Sequence, residues 1–228
     1  MKVLIIAPHH DDEAIGCGGT IAKMTNQGIK IDVAFMTAGW SGIPSAANKQ
    51  KAVELRNKEA IAAGEILGIN RHYFLGFEDR SLAYNDATLN AVISIIRESR
   101  PMAIWFPHKE EGDIEHAITY QIALEASWLA SSPYLQELGE SIPEIRYIYC
   151  YEVWTPLTKF ECSVDITDFI GTKRKAIACY KSQLTYASYD KAILGLNLYR
   201  GAMYEPEEKY IEVFQIVQAP LFSEGGQL

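Results

Sequence analysis

The 228-residue sequence has few cysteines, no surplus of positive charge and no long apolar run. Its four cysteines (Cys17, Cys150, Cys162 and Cys179) form no C-x-x-C pair and show no zinc-finger spacing, so neither a disulfide framework nor a cysteine-ligated metal is expected. The 21 Lys+Arg and 29 Asp+Glu give a net charge of −8, which disfavours a nucleic-acid partner because phosphate binding needs a concentrated positive field. The apolar stretch at the N-terminus covers only residues 3–7, which predicts a cytoplasmic protein with no membrane insertion.

Strand-like apolar runs alternate with helix-like segments through the first 130 residues. Strands are predicted at residues 3–7, 30–37, 72–75 and 102–107, and helices at residues 12–27, 47–67, 85–98 and 115–129. This alternation predicts an α/β fold with a Rossmann-like, mostly parallel sheet and helices on both faces. The last third adds an extra C-terminal segment, with a strand at residues 145–153, a helix at 168–180 and a strand at 210–217. Because no linker or repeat interrupts the chain, residues 1–228 are predicted to form a single domain.

The loop after the first strand holds two histidines and three carboxylates in succession: His9, His10, Asp11, Asp12 and Glu13. Parallel sheets bind their ligands beyond the carboxyl ends of the strands, which is where this loop lies. Imidazole and carboxylate groups suit Zn²⁺ or a similar divalent cation, and a cation would offset the clustered negative charge. Since Asp11 and Asp12 are adjacent, one can bind the metal while its neighbour faces a bound water as a base. The alternative, that these aspartates only cap the next helix, leaves the two histidines unexplained.

The glycines at positions 16, 18 and 19 offer a competing interpretation as a dinucleotide-binding loop, which would indicate a nucleotide-dependent oxidoreductase. They fall inside the predicted helix, however, instead of the turn directly after the strand, and they do not match G-x-G-x-x-G. We predict that they let the helix pack closely on the sheet.

The segment from Pro8 to Glu13, followed by Gly16, resembles the A-H-P-D-D-E-x-x-x-G motif of the PIG-L/LmbE-like zinc deacetylases. That family removes acetyl groups from substrates that contain N-acetylglucosamine. Alignment on D-D-E places His9 on the family histidine and His10 where proline is usual. Further segments resemble the family in the same order: T-x-G at residues 37–39, R-x-x-E at 56–59, G-x-x-D at 76–79, and the segments at 165–183 and 200–214.

The resemblance implies a complete metal site. Where the family has H-x-D-H at the start of a helix, this chain places His116 last, so His9, Asp12 and His116 are predicted to bind Zn²⁺, with another divalent metal left open. Three protein ligands and a water are usual for catalytic zinc. Asp11 is then the predicted general base.

This chain departs from the family beside the third ligand. Glu115 replaces the family aspartate, and Asp113 replaces a histidine that family members can use as an acid or an electrostatic stabiliser. Asp113 itself and His108 are candidates for a secondary acid or oxyanion role.

Arg56 and Asp79 are the predicted substrate-binding residues, and for Arg56 the preference rests on the resemblance, since the arginine of the family's R-x-x-E helix contacts substrate. A guanidinium presents several fixed donors to a phosphate, a carboxylate or sugar hydroxyls, and a carboxylate accepts hydrogen bonds from hydroxyls. The alternatives are a helix-surface pair of Arg56 with Glu59 and a simple turn role for Asp79. Trp40 and Trp154 are further candidates that could stack on a sugar, although an aromatic residue next to a strand more often packs in the core or at its rim.

These observations favour a metal-dependent hydrolase that removes the acetyl group from an N-acetylglucosamine-type amino-sugar conjugate. Hydrolysis of another acylamino sugar or small amide, and a non-catalytic metal-binding module of the same fold, are the alternatives. The expected partner is a small amino-sugar substrate, and the sequence leaves a homo-oligomer open.

Overall fold

The computed structural model describes residues 1–43, 48–204 and 209–219, with Tyr204 described by its backbone alone. The strands within these residues are β1 (Lys2–Ala7), β2 (Lys30–Thr37), β3 (Arg71–Phe77), β4 (Ala103–Pro107), β5 (Tyr147–Tyr151), β6 (Cys162–Asp165) and β7 (Ile211–Gln218). The helices are α1 (Asp12–Asn26), α2 (Lys49–Leu67), α3 (Asp86–Ser99), α4 (Ile114–Leu129), α5 (Ile170–Ile177), α6 (Lys181–Leu184) and α7 (Tyr189–Tyr204). Short 3-10 turns occur at Trp40–Gly42, Gln136–Leu138 and Thr167–Phe169.

All seven strands form one sheet in the order β3-β2-β1-β4-β5-β7-β6. The first five strands in this order run parallel, β7 runs antiparallel to β5, and β6 pairs antiparallel with β7. The predicted Rossmann-like, mostly parallel sheet with an extra C-terminal segment is therefore confirmed.

Successive residues of the central strands face opposite sides of the sheet, and both sides are buried. Val3 and Ile5 of β1 pack with α1, α2 and α5, whereas Leu4 and Ile6 pack with α3 and α4. Continuous apolar runs are typical of parallel strands that are covered on both faces. The sheet thus holds its central strands in fixed positions.

Helix ends follow the signals in the sequence. Asn85 caps α3 through a capping box with Thr88, and α2 ends at Gly68, which has a φ of 76°. The predicted start of α2 at residue 47 lies outside the described residues. None of the helices in the described ranges is long and apolar enough to cross a membrane.

The glycines of α1 allow close packing, as predicted. A Cβ atom on Gly19 would lie 2.5 Å from Ile166, and one on Gly16 would overlap the Tyr151 ring of β5. The helix is kinked at Cys17, where the backbone is not helical. Beyond the kink, the N–H groups of Gly19 and Thr20 donate to the buried carboxylate of Glu212, at 2.9 and 2.7 Å.

The last third differs most from the sequence-based prediction. Strand β6 and helices α6 and α7 were not predicted, and the predicted helix at residues 168–180 is a 3-10 turn followed by α5, which ends at Ile177. β6 has only four residues, too few for a clear alternation, and it is held by pairing with β7. This part of the fold depends on tertiary contacts more than on local sequence.

Candidate metal centre and active site

The candidate site lies where the order of the sheet reverses. In the sheet, β2 lies on one side of β1 and β4 lies on the other. The carboxyl ends of β1 and β4 therefore flank a topological switch point. Open α/β sheets bind ligands at such a point. His9, Asp11 and Asp12 follow β1, and His116 lies in the first turn of α4, directly after the loop that leaves β4.

The three predicted metal ligands converge there. His9 Nδ1 lies 3.2 Å from His116 Nε2, His9 Nδ1 lies 3.4 Å from Asp12 Oδ2, and His116 Nε2 lies 3.3 Å from the same oxygen. Bonds of about 2.0–2.1 Å in a tetrahedral zinc site separate neighbouring ligand atoms by about 3.3 Å. The residues present therefore fit a zinc-sized cation.

The electrostatics of this triangle also suit a cation. Burial opposes the imidazolium form of His9, but Asp12 and Glu115 raise its pKa to about 10. Burial likewise opposes ionisation of Asp12, whose pKa is nevertheless held below its usual value by His116 and His9. Its Oδ1 atom is buried without a hydrogen-bond partner among the described residues. Carboxylates that attract a proton this strongly would equally favour a divalent metal.

Each ligand histidine has a carboxylate behind it. Glu115 Oε2 lies 2.8 Å from His9 Nε2, and its other oxygen accepts the Leu82 N–H at 3.2 Å. Glu111 Oε2 lies 3.6 Å from His116 Nδ1. A carboxylate at hydrogen-bond distance, as Glu115 is from His9, fixes the tautomer and the ring orientation of a metal-binding histidine. His116 Nδ1 has no hydrogen-bond partner among the described residues, so Glu111 acts on it only as a nearby charge. Sequence reasoning noted Glu115 only as a substitution and did not single out Glu111. The available signal was that both carboxylates lie within five residues of His116 in the sequence.

Asp11 is held in an unusual conformation beside the triangle. Its φ is 110°, in the left-handed region that non-glycine residues rarely adopt, and its backbone N–H donates to Glu13 Oε2 at 3.2 Å. Glu13 is itself bound by the buried Tyr180 hydroxyl at 2.5 Å. Burial raises the pKa of Asp11 to about 6, with Arg56 opposing the shift. Asp11 therefore takes up a proton more readily than an exposed aspartate does.

Arg56 is neither a surface pair nor open to solvent. It is buried and donates to the His10 carbonyl oxygen, and its Nη2 lies 3.3 Å from Asp11 Oδ2. Glu59 Oε2 is 3.5 Å from Nη1, and this carboxylate is occupied mainly by Ser182. The structure brings Arg56 to the predicted base, and its role in binding substrate stays a prediction.

Asp79 is buried, and its carboxylate braces the loop after β2. Oδ1 accepts the Gly39 N–H at 2.7 Å, and Oδ2 accepts the Ser41 N–H at 2.6 Å. These bonds support the loop-forming alternative, while contact with substrate hydroxyls stays a prediction.

His108 and Asp113 occupy different surroundings. His108 Nε2 lies 2.7 Å from the Thr155 carbonyl oxygen, and its Nδ1 accepts the Glu110 N–H at 3.2 Å, so both ring nitrogens are engaged. Asp113 caps α4 and accepts a hydrogen bond from Arg80 at 2.8 Å. Burial opposes ionisation of Asp113, but Arg80 holds its pKa below the usual value. An acid role for either residue stays a prediction, and neither has a free proton donor in this arrangement.

Sequence reasoning missed Tyr189 entirely. Its hydroxyl donates to Asp11 Oδ2 at 3.2 Å, and it is the first residue of α7, a helix that was not predicted. A tyrosine 178 positions from its partner carries no local signal, because only the fold brings the two together.

A seven-stranded, mostly parallel sheet with a His-Asp-His triangle at its switch point defines an α/β protein with a candidate metal centre. The sequence profile described as "PIG-L: GlcNAc-PI de-N-acetylase" matches residues 4–127, more than half of the chain. The protein belongs to this PIG-L family.

Known proteins resemble the chain over most of its length. It is 29% identical to the diacetylchitobiose deacetylase of Thermococcus kodakarensis over 218 residues, which cover 89% of this chain and 78% of that protein. The crystal structure of N,N′-diacetylchitobiose deacetylase from Pyrococcus horikoshii shares 26% identity and a TM-score of 0.85, with 95% of this chain and 83% of that chain covered. The 4-carboxy-2-hydroxymuconate hydratase GalB of Pseudomonas putida has the same fold, with 20% identity, a TM-score of 0.83 and 99% of each chain covered. The fold alone is thus shared by enzymes of different reaction classes, and the site must carry the functional argument.

Proposed function

We propose that this protein is a zinc-dependent hydrolase that removes the acetyl group from an N-acetylglucosamine-type amino sugar. The observation that carries the proposal is the triangle of His9, Asp12 and His116, whose edges of 3.2 to 3.4 Å match a tetrahedral zinc site. The family assignment and the activity of the diacetylchitobiose deacetylases support the amino-sugar substrate.

The chemistry divides between the metal and the chain. A bound zinc would lower the pKa of a water molecule and polarise the substrate carbonyl. His9, Asp12 and His116 would hold it, with Glu115 orienting the imidazole ring of His9.

Asp11 acts as the proton carrier. Arg56 and Tyr189 both contact its Oδ2 atom, at 3.3 and 3.2 Å, which leaves Oδ1 for proton transfer. Asp11 takes a proton from the attacking water and delivers it to the nitrogen of the leaving amine. Because its backbone and one oxygen are both fixed, the carboxylate is already oriented when substrate arrives.

The proposal is tested by release of free amine from N-acetylglucosamine and N,N′-diacetylchitobiose, with and without a chelator. N-formyl- and N-propionylglucosamine extend the panel to other acyl groups. We expect release that the chelator abolishes and that added Zn²⁺ restores. Asp11→Asn should lower kcat by about 10²- to 10⁴-fold, because it removes the general base, while leaving metal content unchanged.

Asp86→Asn is the matched control, since Asp86 is an exposed carboxylate in the first turn of α3. It should retain full activity. Chelator-resistant release, or full activity in Asp11→Asn, would contradict the mechanism. A chain that binds metal but releases amine from none of the four compounds would instead be a non-catalytic module or a hydrolase of a different amide.

A further inference from the structure

Trp154 stands out as a large aromatic side chain that remains 44% exposed near the start of the loop after β5. An isolated exposed aromatic residue is ordinary, so its exposure alone carries no argument. What distinguishes Trp154 is that its surroundings hold it in a fixed position next to the candidate site.

The backbone around Trp154 is anchored by a single carboxylate. Glu111 accepts the N–H groups of Val153, Trp154 and Thr155, at 2.6, 3.2 and 3.2 Å. Glu111 is the residue whose Oε2 also lies 3.6 Å from the ring of His116. The segment that carries the exposed indole is therefore anchored by a carboxylate that lies next to a predicted metal ligand.

The indole ring is fixed from the other side as well. It packs edge-on against Tyr189, with ring centroids 5.6 Å apart and an interplanar angle of 80°. Tyr189 in turn contacts the Asp11 carboxylate through its hydroxyl. The exposed ring is thus one residue removed from the predicted base, through Tyr189, and its backbone is one residue removed from His116, through Glu111.

We propose that Trp154 is a specificity-determining residue that stacks against the pyranose ring of the substrate. The aliphatic C–H groups on one face of a pyranose complement the electron-rich face of an aromatic ring. In an N-acylated amino sugar the amide nitrogen is bonded directly to the pyranose, so the ring must lie beside the reacting carbonyl. This inference rests on the proposed function for the identity of the sugar, and it predicts that recognition of the ring is separable from binding of the acyl group.

The test compares the zinc-loaded protein with its Trp154→Ala and Trp154→Phe variants by calorimetric titration with two probes. N-acetylglucosamine carries the ring, whereas acetohydroxamate presents an acyl group without one. We expect Trp154→Ala to weaken N-acetylglucosamine binding by about three- to tenfold, the range typical of aromatic contacts, and to leave acetohydroxamate binding unchanged. Trp154→Phe should retain most of the sugar affinity.

Trp128→Ala is the matched control, because Trp128 is 70% exposed near the end of α4 and should leave both titrations unchanged. Unaltered sugar binding in Trp154→Ala, an equal loss for both probes, or no sugar binding by the wild type would each overturn the proposal. Amine release measured on the same samples tests the deacetylase separately: ring-dependent binding without release would reject the proposed reaction and leave the stacking role standing.

Discussion

The carboxylate behind His9 offers the sharpest test of how the metal centre is organised. Glu115 accepts two hydrogen bonds, one from the Leu82 N–H to Oε1 and one from the His9 Nε2–H to Oε2. A glutamine at this position has one acceptor oxygen, so its NH₂ group would face one of these two donors. Glu115→Gln should therefore disrupt one of the two hydrogen bonds that position this side chain. Either loss weakens the hold on His9 Nε2–H, the hydrogen bond that leaves the Nδ1 atom of His9 free for metal.

The loss of such an orienting carboxylate typically lowers metal affinity by about 10- to 100-fold. At about 1.4 kcal/mol per tenfold change, this corresponds to about 1.4 to 2.8 kcal/mol of binding free energy. Competition for Zn²⁺ with a fluorescent chelator measures it directly, without any assumption about substrate. Glu110→Gln makes the same chemical change at an exposed position in the loop before α4 and should bind metal like the wild type. Equal affinity in Glu115→Gln and Glu110→Gln would refute the assigned role of Glu115.

Two further predictions concern stability. Gly39→Ala should reduce the free energy of unfolding by about 2–4 kcal/mol, because Gly39 has a φ of 75° and a Cβ atom would lie 2.7 Å from His10 Nδ1. Gly171 lies in α5 with open space around it, so the control variant Gly171→Ala should change the free energy of unfolding by no more than about 1 kcal/mol. Equal free energies of unfolding for the two variants, measured by chemical denaturation, would contradict this reasoning. His72 provides a pH dependence: burial lowers its pKa below 6.5, so the unfolded chain binds a proton more readily than the folded protein, and its contribution to stability is lost as the pH falls below about 6.5. We expect the free energy of unfolding, measured by denaturation at about pH 5 and about pH 7.5, to fall less at the lower pH in His72→Gln than in the wild type. An equal fall in the two proteins would show that His72 does not cause the pH dependence.

Much of the fold could be predicted because its first half obeys local rules. The runs that form β1, β2 and β4 are apolar throughout, which is the pattern of strands buried on both faces. Asn85 and Gly68 mark helix ends through hydrogen bonding and backbone conformation that depend on neighbouring residues alone. The prediction that His9 and Asp12 lie at the carboxyl edge of the sheet follows from the same local pattern.

The rest of the site could not be predicted, because its contacts join distant parts of the chain. Arg56 was assigned either to substrate or to a surface pair, whereas it is buried against the loop that carries Asp11. Tyr189 reaches Asp11 from a helix with apolar residues around much of its surface and no clear periodicity. Spacing in a sequence reports which face of an element a residue occupies, but not which distant residue lies opposite that face.

The positions of the candidate metal ligands also bear on how the chain folds. His9 and His116 are separated by 107 positions, and they meet because β1 and β4 are neighbours in the sheet although α1, β2, α2, β3 and α3 lie between these strands in sequence. Such a site is absent from the unfolded chain, so a cation held there would act as a cross-link that forms only after a long-range strand pairing. During synthesis, no complete ligand set exists until residue 116 has been added and β4 has docked. Metal capture should therefore report on a late event in folding, and a destabilised β1–β4 pairing should weaken metal binding even when every ligand is intact.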